Sequence, residues 1–159
     1  MDLRSQLRIA EGYLELGMLE DARLEFDQLQ PEDRLLPEAL QLNVQIHLQE
    51  GSWESALALS RQLCDIAPQA NSGYIHAAYC LHELGRTEEA RDLLLEGPES
   101  LREEPVFFYN LGCYEARLGE TDSARAWLLR SFELDENLRH QAKSDPDLVG
   151  VWTTESGPL

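Results

Sequence analysis

His76 and Cys80 stand four residues apart, a spacing that puts two side chains on one face of a helix, and imidazole with thiolate is a ligand pair for a borderline metal such as zinc. Cys113 is the thiol that a following helix could bring towards them. Zinc takes four ligands in a structural site, however, and the sequence offers no convincing completion. The expectation is therefore packed thiols and a surface-lining histidine, with no metal and no cofactor. His82-Glu83-Leu84-Gly85-Arg86 opens like a zinc-protease helix, but Arg86 stands where the second histidine is required and Gly85 breaks the helix. There is no Gly-rich phosphate loop, no Gly-x-Ser-x-Gly elbow and no calcium loop in the chain. The 30 acidic residues supply carboxylate pairs everywhere, so they single out no acid–base centre. The chain is not expected to be an enzyme.

The elements that carry these residues are legible from a repeat. Gly17, Gly51, Gly85 and Gly119 recur at intervals of 34 residues, and each is followed five positions later by Ala22, Ala56, Ala90 or Ala124. At a background of about 7 % glycine, three further glycines on one preset register is an event of about three in ten thousand. Glycine inside a helix costs about 1 kcal/mol relative to alanine, so four at one phase mark four helix ends. The spacing predicts four helical hairpins, with first helices near 3–16, 37–50, 71–84 and 105–118 and second helices near 19–29, 53–66, 87–96 and 121–134. Ala10, Val44, Ala78 and Gly112, seven before each glycine, form a second column of small side chains that lets paired helices approach closely. Leu40, Tyr74 and Phe108, together with Phe26, Leu94 and Leu128, fill the packing columns. One hairpin cannot cover its own apolar face, whereas hairpins stacked in order share a continuous core.

Charge and composition narrow the partners. The net charge is −17, from 13 basic and 30 acidic residues, which argues against nucleic acid and against anionic membrane. No apolar run approaches the twenty or so residues of a membrane span. The opening Met1-Asp2-Leu3-Arg4-Ser5-Gln6 enters a helical pattern directly, without the apolar stretch of a secretory signal, and a cytoplasmic location is expected. Cys64, Cys80 and Cys113 are odd in number and include no Cys-x-x-Cys pair, so reduced thiols are expected.

The 34-residue period, the small–Gly–Ala columns and Pro68 closing the second unit resemble the tetratricopeptide repeat family over about residues 3–136. The resemblance implies an all-α, right-handed α-solenoid of four helical hairpins, about 3–36, 37–70, 71–104 and 105–136. The sequence departs from the family pattern at Gln6, where a large apolar residue is common, and at Ser60, which replaces an aromatic. It departs again at Gly97-Pro98, which ends a second helix early, and at Asp135-Glu136, which lacks a proline. Beyond 136 the phase is lost. Leu138, Leu148, Val151 and Trp152 are too apolar for a free tail, so 137–152 reads as a C-terminal cap and 153–159 as a disordered tail.

In that family the first helices line a concave surface that holds a segment of another protein. The resemblance implies a lining of Leu7, Gln41, Ile75 and Tyr109 in one row and Glu11, Gln45, Tyr79 and Cys113 in the next. Arg8, Leu42, His76 and Asn110 form a third, with Glu15, Gln49, Glu83 and Arg117 near the edge. Arg8 and Arg117 against Glu11, Glu15 and Glu83 leave these rows far less acidic than the rest of the chain. The lysine and asparagines with which some relatives clamp acidic chaperone tails are missing, because Leu7, Glu11 and Leu42 occupy those places. Tyr79 and Tyr109 offer contact area at low entropy cost, which suits a partner segment with apolar anchors. Changing both to alanine is expected to abolish binding and leave helicity intact. The expected function is a non-catalytic adaptor. The alternatives are a class II secretion-type chaperone and a self-associating module that dimerises through an apolar end formed by Leu3, Leu7 and Leu14.

Overall fold

The computed structural model describes residues 1–152; the 153–159 tail expected to be disordered lies outside the described residues. Among the described residues the chain is all-helical. The helices are α1 (Leu3–Glu15), α2 (Leu19–Asp27), α3 (Pro37–Glu50), α4 (Trp53–Ile66), α5 (Asn71–Glu83), α6 (Thr87–Glu96), α7 (Pro105–Arg117), α8 (Thr121–Leu134) and α9 (Asn137–Ala142). Short 3₁₀ turns cover Asp33–Leu35, Glu99–Glu103 and Pro146–Leu148.

Each predicted helix is present to within two residues at either end. Their starts are set by local chemistry: the Asp2 carboxylate accepts from the Ser5 amide at 2.9 Å to cap α1, and Pro37 and Pro105 open α3 and α7, where a missing N–H costs nothing. The first helices end identically. Gly17, Gly51, Gly85 and Gly119 have φ of 73, 71, 79 and 85°, the left-handed region that suits a residue without Cβ. The amide one residue beyond each reaches back five residues, Met18 to Tyr13 at 2.8 Å, Ser52 to His47 at 2.9 Å, Arg86 to Leu81 at 2.8 Å and Glu120 to Glu115 at 2.9 Å. These are four Schellman caps, which satisfy the last carbonyls of the first helix and turn the chain into the second.

The contacts divide the chain into two compact units, Met1–Cys80 and Leu81–Leu159. In the first, α1 pairs with α2 and α3 with α4. Its core is mainly aliphatic, with Leu7, Ala10, Leu14, Ala22, Leu29, Leu42 and Ile46 around the one ring of Phe26 in a buried cluster. Of the residues expected at an apolar end of α1, Leu7 and Leu14 pack inward against α2 and α3, and Leu3 is half-buried against them. The departure at Ser60 has a partner. Gly73 on α5 lies so close to α4 that a Cβ there would sit 3.0 Å from the Cys64 Sγ and 3.3 Å from the Ser60 carbonyl, so both helices keep small residues where they meet.

In the second unit α7 pairs with α8, and the core holds an aromatic cluster among its aliphatic side chains. Phe107 and Phe108 meet edge to face at 5.0 Å, and Trp127 lies 5.9 Å from Phe108. Gly112 makes room for this packing, because a Cβ there would fall 2.5 Å from the Leu128 Cγ. The early end of α6 at Gly97-Pro98 is filled by the Glu99–Glu103 turn, which buries Leu101 against Gly97. With that turn in place α7 begins at Pro105, and the first helices start at 3, 37, 71 and 105, holding the 34-residue step.

Candidate functional site

The expected lining residues have different fates in the two units. In the first, Gln41 on α3 is exposed and Gln45 half-buried, Ile75 and His76 on α5 are half-buried, and Tyr79 is 38 % exposed. The Tyr79 ring meets Trp53 edge to face at 5.8 Å, an arrangement that restricts its motion. His76 Nδ1 is buried without a hydrogen-bond partner among the described residues, and burial holds its pKa below the ordinary imidazole value. Leu7, although part of the core, also forms the floor of a trough of about 980 Å³ lined by Leu3, Arg4, Arg8, Leu36 and Pro37.

In the second unit the same columns are covered by the chain itself. Ahead of the Pro146–Leu148 3₁₀ turn, the Asp145 carboxylate accepts from the Asp147 amide at 3.0 Å, and the turn lies on α7. Tyr109, 3 % exposed, donates its hydroxyl to Asp145 Oδ2 at 2.7 Å, and Cys113, 5 % exposed, places Sγ 3.7 Å from the same oxygen. Asp147 Oδ2 meets His82 Nε2 at 2.8 Å, while His82 Nδ1 shares a hydrogen bond with Thr87 Oγ1 at 3.0 Å. Arg117, 66 % exposed, reaches Asp147 Oδ1 at 3.8 Å. Arg125 donates to the Val151 carbonyl at 2.7 Å, and Leu148 and Val151 are buried. Tyr109 and Cys113 were expected to be open to a partner; here the apolar and hydrogen-bonding demands of 145–151 close them off. Asn110 is half-buried on the same helix.

Burial raises the pKa of both Tyr109 and Cys113, and the neighbouring Asp145 adds to the rise, so both are held protonated. Burial likewise pushes Cys64 up to about 11. Neither thiol has the character of a nucleophile. Among the described residues, Cys113, Asp145 and Asp147 form the one group whose ligand atoms lie within 4.8 Å of one another, and neither His76 nor Cys80 belongs to it. Both carboxylates of that trio already accept hydrogen bonds, so the geometry is that of a polar clamp.

Sequence reasoning reached Tyr109, Cys113 and Arg117 through the repeat register, but it missed His82, Asp145, Asp147 and Arg125 as a constellation. One signal was available for Arg125. Arg23, Arg91 and Arg125 share a column six after the glycine; Arg23 grips Glu50 on α3 at 2.8 and 2.7 Å, and Arg91 lies 4.0 Å from Glu115 on α7. Each arginine addresses the element that comes after its hairpin. For Arg125 that element is the C-terminal segment.

Comparison with known proteins agrees with this fold. No curated protein sequence matches the chain. Among solved structures, a thermophilic TPR protein of Thermus thermophilus superposes with a TM-score of 0.80 at 22 % identity, over 96 % of this chain and 82 % of that one. PilF of Pseudomonas aeruginosa gives 0.79 at 21 % identity, over 96 % and 68 %. YrrB, a TPR protein described as having an unusual peptide-binding site, gives 0.69 at 14 % identity, over 97 % and 78 %. Tetratricopeptide repeat family profiles match residues 47–107 and 106–138. With four Schellman-capped helices at a 34-residue step and contiguous profile matches over the middle and last repeats, the chain belongs to the tetratricopeptide repeat family.

Proposed function

We propose that the protein is a non-catalytic adaptor of the cytoplasm that holds a segment of a partner protein on the first-helix surface of its first unit, with 137–152 closing the last repeat. The fold is that of a protein-interaction scaffold. The observation that carries the finer reading is Tyr79, a partly exposed ring steadied by Trp53 beside half-buried Ile75 and His76. Large aromatic side chains with restricted motion contribute most to binding per residue, because little entropy remains to be lost. Gln41 and Gln45 on α3 offer further amide contacts. The charge of −17 directs this surface towards proteins and away from nucleic acids and anionic lipid.

Affinity capture from the native cell extract, run in parallel with Tyr79→Ala, tests the reading. Specific partners should be lost in the variant while its far-ultraviolet circular dichroism is unchanged. Retention of every partner would refute it. Light scattering across a dilution series, expected to report a constant 18.1 kDa particle, separates this reading from self-association through α1.

A further inference from the structure

Residues 145–151 make the contacts of a bound peptide. Three basic side chains, in a chain with only 13 Lys and Arg against 30 Asp and Glu, converge on this one stretch. His82 and Arg117 address Asp147, and Arg125 addresses the Val151 carbonyl. Tyr109 fixes Asp145 through its hydroxyl, and Leu148 and Val151 provide the buried apolar contacts. A surface that only needed covering would need the apolar contacts. Here two carboxylates two residues apart are each read by specific donors, and Arg117 still has most of its side chain in solvent.

We propose that the α7 face of the second unit is a receptor for an acidic–aliphatic protein segment of the pattern Asp-x-Asp-Leu, and that 145–151 occupies it in cis as a displaceable competitor. The partner is thus a protein segment with two carboxylates flanking a turn-forming residue and an aliphatic side chain directly after. Tethering holds the internal segment at an effective concentration of the order of millimolar, so a free segment of equal intrinsic affinity binds the intact face only weakly. A partner gains access by carrying more contacts than the internal copy, or by acting when that copy has been released. This deepens the adaptor reading on the α7 face rather than at Tyr79, so the two can fail independently.

The test uses the full chain with Asp145→Asn and Asp147→Asn combined, and as probe a fluorescein-labelled peptide of residues 143–152. Fluorescence anisotropy should show the peptide bound by the double variant at least about tenfold more tightly than by the wild type, because the internal competitor is weakened. A probe peptide carrying the same two Asp→Asn changes should bind about tenfold less well than the parent probe. Adding Tyr109→Phe and Arg117→Ala on the receptor side should remove the gain. In the wild type, saturating peptide should accelerate amide hydrogen exchange at 147–151 and leave α8 unchanged. Failure of the double variant to fold would identify 145–151 as a fixed structural cap and overturn the proposal. So would a folded double variant that binds no peptide at 1 mM probe, the top of an assay range of about the tethered concentration.

Discussion

Ile75 and Tyr79 on α5 occupy the same two repeat columns as Tyr109 and Cys113 on α7, and the two pairs live in opposite surroundings. The first pair is half-buried and exposed; the second is 3 % and 5 % exposed beneath 145–151. Equivalent register therefore sets where a side chain points, and the chain downstream decides whether it is available. A column derived from the repeat identifies a face. Its occupancy depends on segments that carry no repeat signal.

The sharpest way to break this comparison is to remove one tyrosine at a time. Tyr109→Ala deletes a buried ring and orphans an Asp145 oxygen, and a loss of about 3–5 kcal/mol is expected from the truncation of a large buried aromatic. Tyr79→Ala removes a ring that is partly in solvent and has one edge-on aromatic neighbour, and should cost within about 1 kcal/mol. Urea unfolding of the two variants gives the contrast directly. Equal losses would mean that the coverage seen on α7 carries no energetic weight.

A second contrast lies in the column of small residues. Ala78 on α5 and Gly112 on α7 are equivalent, yet Ala78 is fully buried with its methyl accommodated, whereas a methyl on Gly112 would fall 2.5 Å from Leu128 Cγ and 2.8 Å from its Cδ2. Gly112→Ala should therefore destabilise by about 1–3 kcal/mol through overpacking, despite the better helix propensity of alanine. Ala78→Gly should cost about 1 kcal/mol, from backbone entropy and a lost methyl. A stabilising Gly112→Ala would show that Leu128 can move aside freely.

These differences explain what could be read in advance. Helix positions were legible because they rest on local chemistry repeated four times: a left-handed glycine at 17, 51, 85 and 119, and an alanine five residues on. The face to which Tyr109, Cys113 and Arg117 belong was legible from the same register. That Asp145 and Asp147 would find Tyr109 and His82, 36 and 65 residues away, was not, since they are two acids among thirty and a long-range pairing leaves no periodic trace. The apolar Leu148 and Val151 announced that the segment would dock. Where it would dock required coordinates.

The smallest effects come from one titrating group in each unit, and their signs oppose. Burial lowers the pKa of His76, so between the folded value and the unfolded 6.5 the unfolded chain binds more protons. Its contribution to stability is complete above 6.5 and is lost as pH falls through the folded value. Burial raises the pKa of Glu115, with Arg91 at 4.0 Å only partly offsetting it, so here the folded chain binds more protons just above the ordinary carboxylate range. Its contribution is complete below the unfolded value of about 4.3 and is lost as pH rises through the folded one. His76→Gln should therefore flatten the loss of stability between pH 7.5 and 5.5. Glu115→Gln, nearly isosteric with the protonated acid, should match the wild type near pH 4 and become the more stable of the two by pH 7. Denaturation midpoints at these pH values decide the matter for each variant against its own wild-type curve. A Glu115→Gln protein less stable at pH 7 would show that the distant Arg91 pairing outweighs the cost of burying the carboxylate, and the two units would then respond to acid in the same sense.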